Sequence, residues 1–395
     1  MADVLISGAS VAGPAAAVAL TRLGHTVTVV EIAPEPRTGG YAVDFRGKAH
    51  LDALSRLGVL DDLREVSVPA TRTCFLAGPG TRLDLPEEFT GGDLNVLRRD
   101  LTRVLVTHSG DADYRYGISI REITDDRDRI GVEFTDGGTG TFDVVIGADG
   151  IHSRVRRLLF GPEEQFVTYQ GYCVAGWDLP NTVGATPDLT VWNAPGKALG
   201  VSRDPQDPSR GHVFAVFEAP SLPRELRHDR HAQNTYLRHT LSQVGPLGRQ
   251  LTEYLPGASD IYLDAIARAD VTAWSKGRCV LLGDAAAGAT LGGMGTGTAV
   301  VSALVLADRL QHDEPASAFR RYEELVRPYA TACQKGGDTA GRFFAPRSRP
   351  GIAARNLFFS TPVGRRMLLG TGRERSEGLT LTASISLGGP ENPGR

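Results

Sequence analysis

Three acidic residues, each at the end of an apolar run, carry the chemical content of this chain. The first is Glu31, which closes Val27-Thr28-Val29-Val30 eighteen residues beyond Gly13 of the motif Gly8-Ala9-Ser10-Val11-Ala12-Gly13. A carboxylate there accepts hydrogen bonds from ribose hydroxyls. Gly8 lets the chain turn sharply out of a strand, and Gly13 lets the following helix lie close against a sheet. The backbone of Ser10, Val11 and Ala12 then opens that helix toward a pyrophosphate. Ser10 stands where the middle glycine of G-x-G-x-x-G is usual. The second acid is Asp149, which follows Val144-Val145-Ile146-Gly147-Ala148 and precedes Gly150, Ser153 and Arg156. Asp149 and Gly150 are placed to meet a second part of a nucleotide, although a plain Asp-Gly turn uses the same residues. The third is Asp284, delivered with Gly283 by Cys279-Val280-Leu281-Leu282 and followed by Gly292, Gly293, Gly295 and Thr296. A glycine cluster that opens a helix turns N–H groups and a dipole toward an electron-rich ring or carbonyl.

These residues need strands to deliver them and helices to begin after them. The N-terminal stretch reads as strand, glycine turn, helix, strand and acid, the order of a dinucleotide site. Helices are expected from about Lys48 to Leu57, from Val96 to Thr107, from His231 to Glu253, from Thr296 to about Leu310 and from Pro315 to about Ala345. Strands are expected near Tyr114–Tyr116, Ile130–Phe134 and Phe142–Ile146. Between Gln165 and Thr272 the pattern changes to β-branched and aromatic segments separated by Pro, Gly and Asp turns, the mark of a mixed or antiparallel sheet inserted into the first module. The last twenty residues, rich in Gly, Pro and Ser, read as a flexible tail.

The chain of 395 residues exceeds one ordinary core, so two modules are expected. Its formal net charge of −3, with both signs interspersed, gives no electrostatic support for nucleic-acid or membrane-surface binding. No apolar run is long enough to span a bilayer, and the first core strand begins so early that no signal peptide is expected. Cys74, Cys173, Cys279 and Cys333 are far apart with no C-x-x-C pair. They read as buried thiols of a cytoplasmic protein, and no metal site is expected.

The three motifs, in this order and spacing, resemble those of the class A FAD-dependent monooxygenases, the p-hydroxybenzoate hydroxylase-like aromatic hydroxylases, over roughly residues 3 to 345. The resemblance implies an α/β fold: a Rossmann-like FAD-binding domain with an inserted mixed β-sheet substrate domain. The FAD domain would be discontinuous (1–70, 95–160 and 275–345), the sheet module would take 71–94 and 165–272, a helical segment 346–375, and the tail 376–395. It also implies that Gly8, Ser10, Val11, Ala12, Gly13 and Glu31 hold the ADP part of FAD. Arg98, in Leu97-Arg98-Arg99-Asp100-Leu101, would contact the cofactor too. Asp149, Gly150, Ser153 and Arg156 would serve FAD and NAD(P)H. Gly283 and Asp284 would hold the ribityl chain, Gly293, Gly295 and Thr296 would lie beside the isoalloxazine, and Arg37 and Arg46 would add flavin or pyrophosphate contacts.

The activity so implied is hydroxylation of an aromatic or polycyclic small molecule, with NAD(P)H and O2, through a flavin C4a-hydroperoxide. One segment departs from the family pattern. After Gly283-Asp284-Ala285-Ala286 the family usually has His or an aromatic residue and then a proline, whereas this chain has Ala287-Gly288-Ala289-Thr290-Leu291. That departure keeps open Baeyer–Villiger oxidation, dehydrogenation or a redox-neutral rearrangement, and, in another class, a non-catalytic FAD-fold binding protein. Tyr169, Tyr172, Trp177, Trp192, Phe214 and Phe217 are candidate substrate contacts, with His212 a conceivable acid or base. Each also fits a core position. No catalytic base and no oligomeric state is assigned from sequence.

Overall fold

The computed structural model describes residues 1–36, 42–76, 82–126, 128–219, 222–223, 226, 229–258, 260–291, 294–335 and 337–368. Arg37, Gly293 and the expected tail 376–395 therefore lie outside the described residues.

Strand β1 (Asp3–Ser7), helix α1 (Ala12–Arg22) and strand β2 (Thr26–Glu31) open the chain, with β1 and β2 parallel and Val4 opposite Val27. Val4, Leu5 and Ile6 are buried, as befits a strand covered on both faces. The run Ala15-Ala16-Ala17 gives α1 a thin face, so its axis can approach the sheet closely. The six-stranded sheet runs 275–276, 279–281, 144–147, β1, β2, 113–116, and only the first strand is antiparallel. Helices Gly295–His312 and Pro315–Gln334 complete this core.

A seven-stranded sheet forms the second layer system, in the order 261–269, 167–180, 210–218, 197–203, 189–194, 73–76, 82–85. Its one parallel pairing joins 189–194 to 73–76. Helices Arg230–Leu241 and Pro246–Thr252 supply the apolar residues that pack on one face. Phe343 and Phe344 of helix Ala340–Phe344, Phe359 of helix Arg349–Ser360 and Leu291 pack on the other.

Several boundaries differ from the sequence expectation. The expected helix 96–107 starts two residues later, because Leu94–Leu97 is a strand paired antiparallel with β3 (Ala42–Phe45). The expected strand 142–146 is two strands in two sheets. Thr139–Phe142 pairs with Arg129–Phe134, Val144–Gly147 pairs with β1, and the Asp143 carboxylate marks the crossing by accepting the Asp3 N–H at 2.8 Å. The helix expected over 231–253 breaks at Gly245, whose φ is +101°, and Pro246 starts the next helix. The helix expected over 315–345 ends at Gln334 and restarts as Ala340–Phe344.

Candidate active site

Parallel strands carry ligands at their carboxyl ends, and here those ends bring the three motifs into contact. Gly8 has φ +111°, and a Cβ on it would lie 2.4 Å from the Ala148 carbonyl oxygen. The first motif therefore touches the second. A Cβ on Gly13 would lie 1.8 Å from the Gly8 oxygen, which fixes glycine at the start of α1, where Val11 and Ala12 are also buried. A Cβ on Gly283 would lie 3.0 Å from Ala12 Cβ, so the third motif closes on the first.

Glu31 braces the glycine turn. Its Oε2 accepts the Ala9 N–H at 2.8 Å and its Oε1 the Ala33 N–H at 2.9 Å. Ser10 has a specific partner: its Oγ accepts from Arg98 Nη2 at 2.7 Å, and its carbonyl accepts from Thr102 Oγ1 at 3.1 Å. Arg98 opens the helix Arg98–His108, so the strand-to-helix boundary at Leu97 puts its guanidinium over the turn. The charge of Arg98 also reaches Asp284. Burial raises the Asp284 carboxyl above the usual carboxylate range, and Arg98 opposes that rise. A Cβ on Gly295 would lie 3.0 Å from Asp284 Oδ1, so only a bare backbone passes beside this acid. Met294, with φ +52°, is the one non-glycine residue in left-handed conformation among the described residues, and it turns the chain into the Gly295-Thr296 helix start.

The Asp-Gly motif is tied into the fold. Asp149 accepts from Ser153 Oγ and from the N–H groups of Arg154 and Val155 at 2.8 and 3.0 Å, while burial raises its carboxyl. Ser153 caps the helix Arg154–Phe160 by accepting the Arg156 N–H. Arg156 is fully buried and donates to the carbonyls of Ala285 and Ile151, linking the second motif to the third. Gly150, at φ +79°, has open space where a Cβ would stand. Arg46 pairs with Asp44 and donates to the carbonyls of Glu88 and Phe89.

The unusual segment 287–291 lies along the last strand of the seven-stranded sheet. Gly288 O accepts the Ala269 N–H at 2.9 Å, Thr290 N donates to Ala267 O at 3.1 Å, and Ala289 bridges Arg268. This pairing shapes the segment without proline. Leu291 then joins Phe214, Phe343 and Phe344 in an apolar cluster.

Strand alternation sorts the candidate aromatics. Tyr172 and Phe214 lie on this same face, whereas Tyr169, Trp177, Trp192 and Phe217 pack under the helices at 230–252. Tyr172 is 1% exposed and its hydroxyl has no partner among the described residues. His212 sits between two acids, with Nδ1 on Asp178 and Nε2 2.9 Å from Asp204 Oδ2. Burial opposes its protonation, but these carboxylates raise its pKa overall. Two further histidines drew no attention in sequence. His152, inside the Asp-Gly motif, bridges Glu163 at 3.0 Å and Asp264 of the second sheet at 2.9 Å. His50 is fully buried against Gly297. The motif offered a signal for His152; no local pattern marks His50.

A glycine cradle closed to any Cβ, an arginine on the turn and a partly buried acid without a hydrogen-bonding side-chain partner among the described residues fit a dinucleotide with a polyol arm. The comparisons agree. Residues 1–334 match the family described as FAD binding domain. A flavin-dependent monooxygenase of an unknown prokaryotic organism is 31% identical over 341 residues, covering 85% of this chain and 88% of that protein. The uncharacterized protein Rv1260 of Mycobacterium tuberculosis (strain ATCC 25618 / H37Rv) is 36% identical over 320 residues, covering 79% of this chain and 85% of that protein. Among solved structures, the tetracycline destructase Tet(55) superposes with a TM-score of 0.81 at 27% identity, covering 96% of this chain and 98% of that one. The chain belongs to the FAD-binding family of flavin-dependent monooxygenases. It is a flavoprotein oxidoreductase by family, with the hydroxylase fold.

Proposed function

We propose that this protein is an FAD-dependent monooxygenase that takes reducing equivalents from NAD(P)H and inserts one oxygen atom from O2 into an aromatic or polycyclic small molecule. The carrying observation is the meeting of Gly8–Gly13, Asp149 and Asp284 at the carboxyl ends of the parallel strands, with segment 287–291 laid from there onto the second sheet. Bound FAD would supply the redox and oxygen-activating chemistry. Gly8 to Gly13, Glu31 and Arg98 would hold its ADP part, Asp284 the ribityl hydroxyls, and the N–H groups opening the Gly295–His312 helix would face negative charge at the pyrimidine edge of the flavin. Asp149, Gly150, Ser153 and Arg156 shape the backbone beside it. The substrate module would be the seven-stranded sheet, with 71–94 as part of it.

The chain's own contribution to the chemistry is orientation and exclusion of water. Leu291, Phe214, Phe343 and Phe344 form a dry wall. The unpaired Tyr172 hydroxyl on that sheet face supports an oxygenated substrate, since a buried donor without a partner costs about 1–3 kcal/mol until something meets it. A polycyclic substrate is the form favoured by the likeness to the tetracycline destructase Tet(55). The test is anaerobic mixing of the holoenzyme with NADPH or NADH, followed by turnover under ¹⁸O2 with a panel of phenolic and polycyclic compounds. Flavin bleaching and one labelled atom in product are expected. Bleaching with no label in any product would move the reading to dehydrogenation or rearrangement, and no bleaching would end the NAD(P)H-driven scheme.

A further inference from the structure

His50 is fully buried in helix α2 (Gly47–Arg56), outside all three motifs. Its Nδ1 accepts the backbone N–H of Arg46 at 3.0 Å, which satisfies a donor at the helix start that has no partner within the helix. That bond places the ring proton on Nε2, which faces the Tyr329 hydroxyl at 2.6 Å. Tyr329 belongs to the helix Pro315–Gln334, and Cys333 and Thr298 are the further side chains within hydrogen-bonding reach of its hydroxyl. Burial, and then the charge of Arg46, lower the imidazole to about 4, so it is neutral at physiological pH.

The ring also fills the place of a missing side chain. A Cβ on Gly297 would lie 2.1 Å from His50 Cε1 and 2.3 Å from Nε2. Gly297 is in the first turn of the Gly295–His312 helix, and Arg46 immediately precedes α2. One neutral imidazole thus accepts from the first segment, donates to a third helix and packs flat on the second. No other uncharged side chain of this size offers an acceptor and a donor at opposite edges of a rigid plane.

Resting on the flavin reading above, we propose that His50 is a positioning residue that locks the Arg46–Gly47 segment and the Gly295–Thr298 turn as two walls of the flavin-ring pocket. Its packing on Gly297 sets the spacing of those walls, its hydrogen bonds to Arg46 and Tyr329 hold the ring in place, and Gly297 is glycine because the imidazole is there.

The test uses the whole chain and five variants, of which His50→Ala removes both hydrogen bonds. His50→Asn keeps an acceptor for Arg46, His50→Gln keeps a donor toward Tyr329, Tyr329→Phe deletes one oxygen, and Gly297→Ala drives a methyl into the ring. FAD affinity by flavin fluorescence, the spectrum and midpoint potential of bound flavin, and the melting temperature of the FAD-free protein are measured for each. Tyr329→Phe and Gly297→Ala are expected to weaken FAD binding about tenfold, the worth of one good hydrogen bond, and to shift the bound-flavin spectrum and potential. The two His50 variants should each recover part of that loss relative to His50→Ala. Wild-type affinity, spectrum and potential in Tyr329→Phe and Gly297→Ala, whatever their melting temperatures, would overturn the proposal and leave the flavin reading intact. Failure of the wild-type protein to bind FAD would overturn both.

Discussion

At the scale of single residues, the site is built from groups whose partners define their role. Ser10 is the clearest case. Its hydroxyl accepts from Arg98, so the residue that breaks the glycine pattern holds an arginine over the turn. Asp284 shows the opposite condition, since no described side chain hydrogen-bonds to it and its neighbour at 295 has no side chain to fill the space. Asp284→Ala should therefore weaken FAD binding by about ten- to a hundredfold, from the roughly 1.5–3 kcal/mol of hydrogen bonds to a charged acceptor, as read by titrating flavin fluorescence. Tyr172 makes a second prediction. Its buried hydroxyl is unpaired in the protein alone, so Tyr172→Phe should raise the stability of the substrate-free enzyme by about 1 kcal/mol in denaturant unfolding. The same variant should raise KM if substrate oxygen is the missing partner.

Elements explain why these residues meet. Helix α1 begins against the carbonyl of Gly8, and its alanine face lets it rest on the sheet. Gly13→Ala would put a methyl 1.8 Å from that oxygen, so α1 would have to back away. An overpacked contact of this kind costs about 1–3 kcal/mol or more. Thermal melting should show that loss, together with poor retention of flavin through gel filtration. The first βαβ unit was legible because its periodicity is local. Strand 94–97 was not, because its partner is β3, some fifty residues away, and its four residues also fit the start of a helix. Segment 287–291 looked defective in sequence for want of proline. Its pairing with the strand 261–269 gives it a defined path.

Across the whole molecule, the two sheets are joined by ionic contacts that no single element contains. His152 reaches from the Asp-Gly motif to Asp264, and Arg99 from the helix 98–108 to Asp204 beside His212. Burial disfavours the His152 cation, but hydrogen bonds to Asp264 and Glu163 outweigh it and raise the group to about 9. A raised folded-state pKa means the contribution is complete below the unfolded value near 6.5 and disappears as pH climbs through about 9. His152→Gln should therefore melt a few degrees below wild type at pH 6, and the two curves should converge above pH 9. A constant gap across that range would show that the bridge does not act through its charge. Among the described residues no helix is long and apolar enough to cross a membrane, and the four cysteines are buried and form no disulfide. The sequence alone determined the three motifs, the parallel sheet that bears them and the family, because glycine at a turn and acid at a strand end are demands of the backbone and of nearby residues. Tertiary structure decided which aromatics share the face with Leu291, that Arg156 joins the second motif to the third, and that His50 packs against Gly297. Those facts depend on strand parity and on contacts across more than a hundred residues of chain, and such contacts leave no period in the sequence to read.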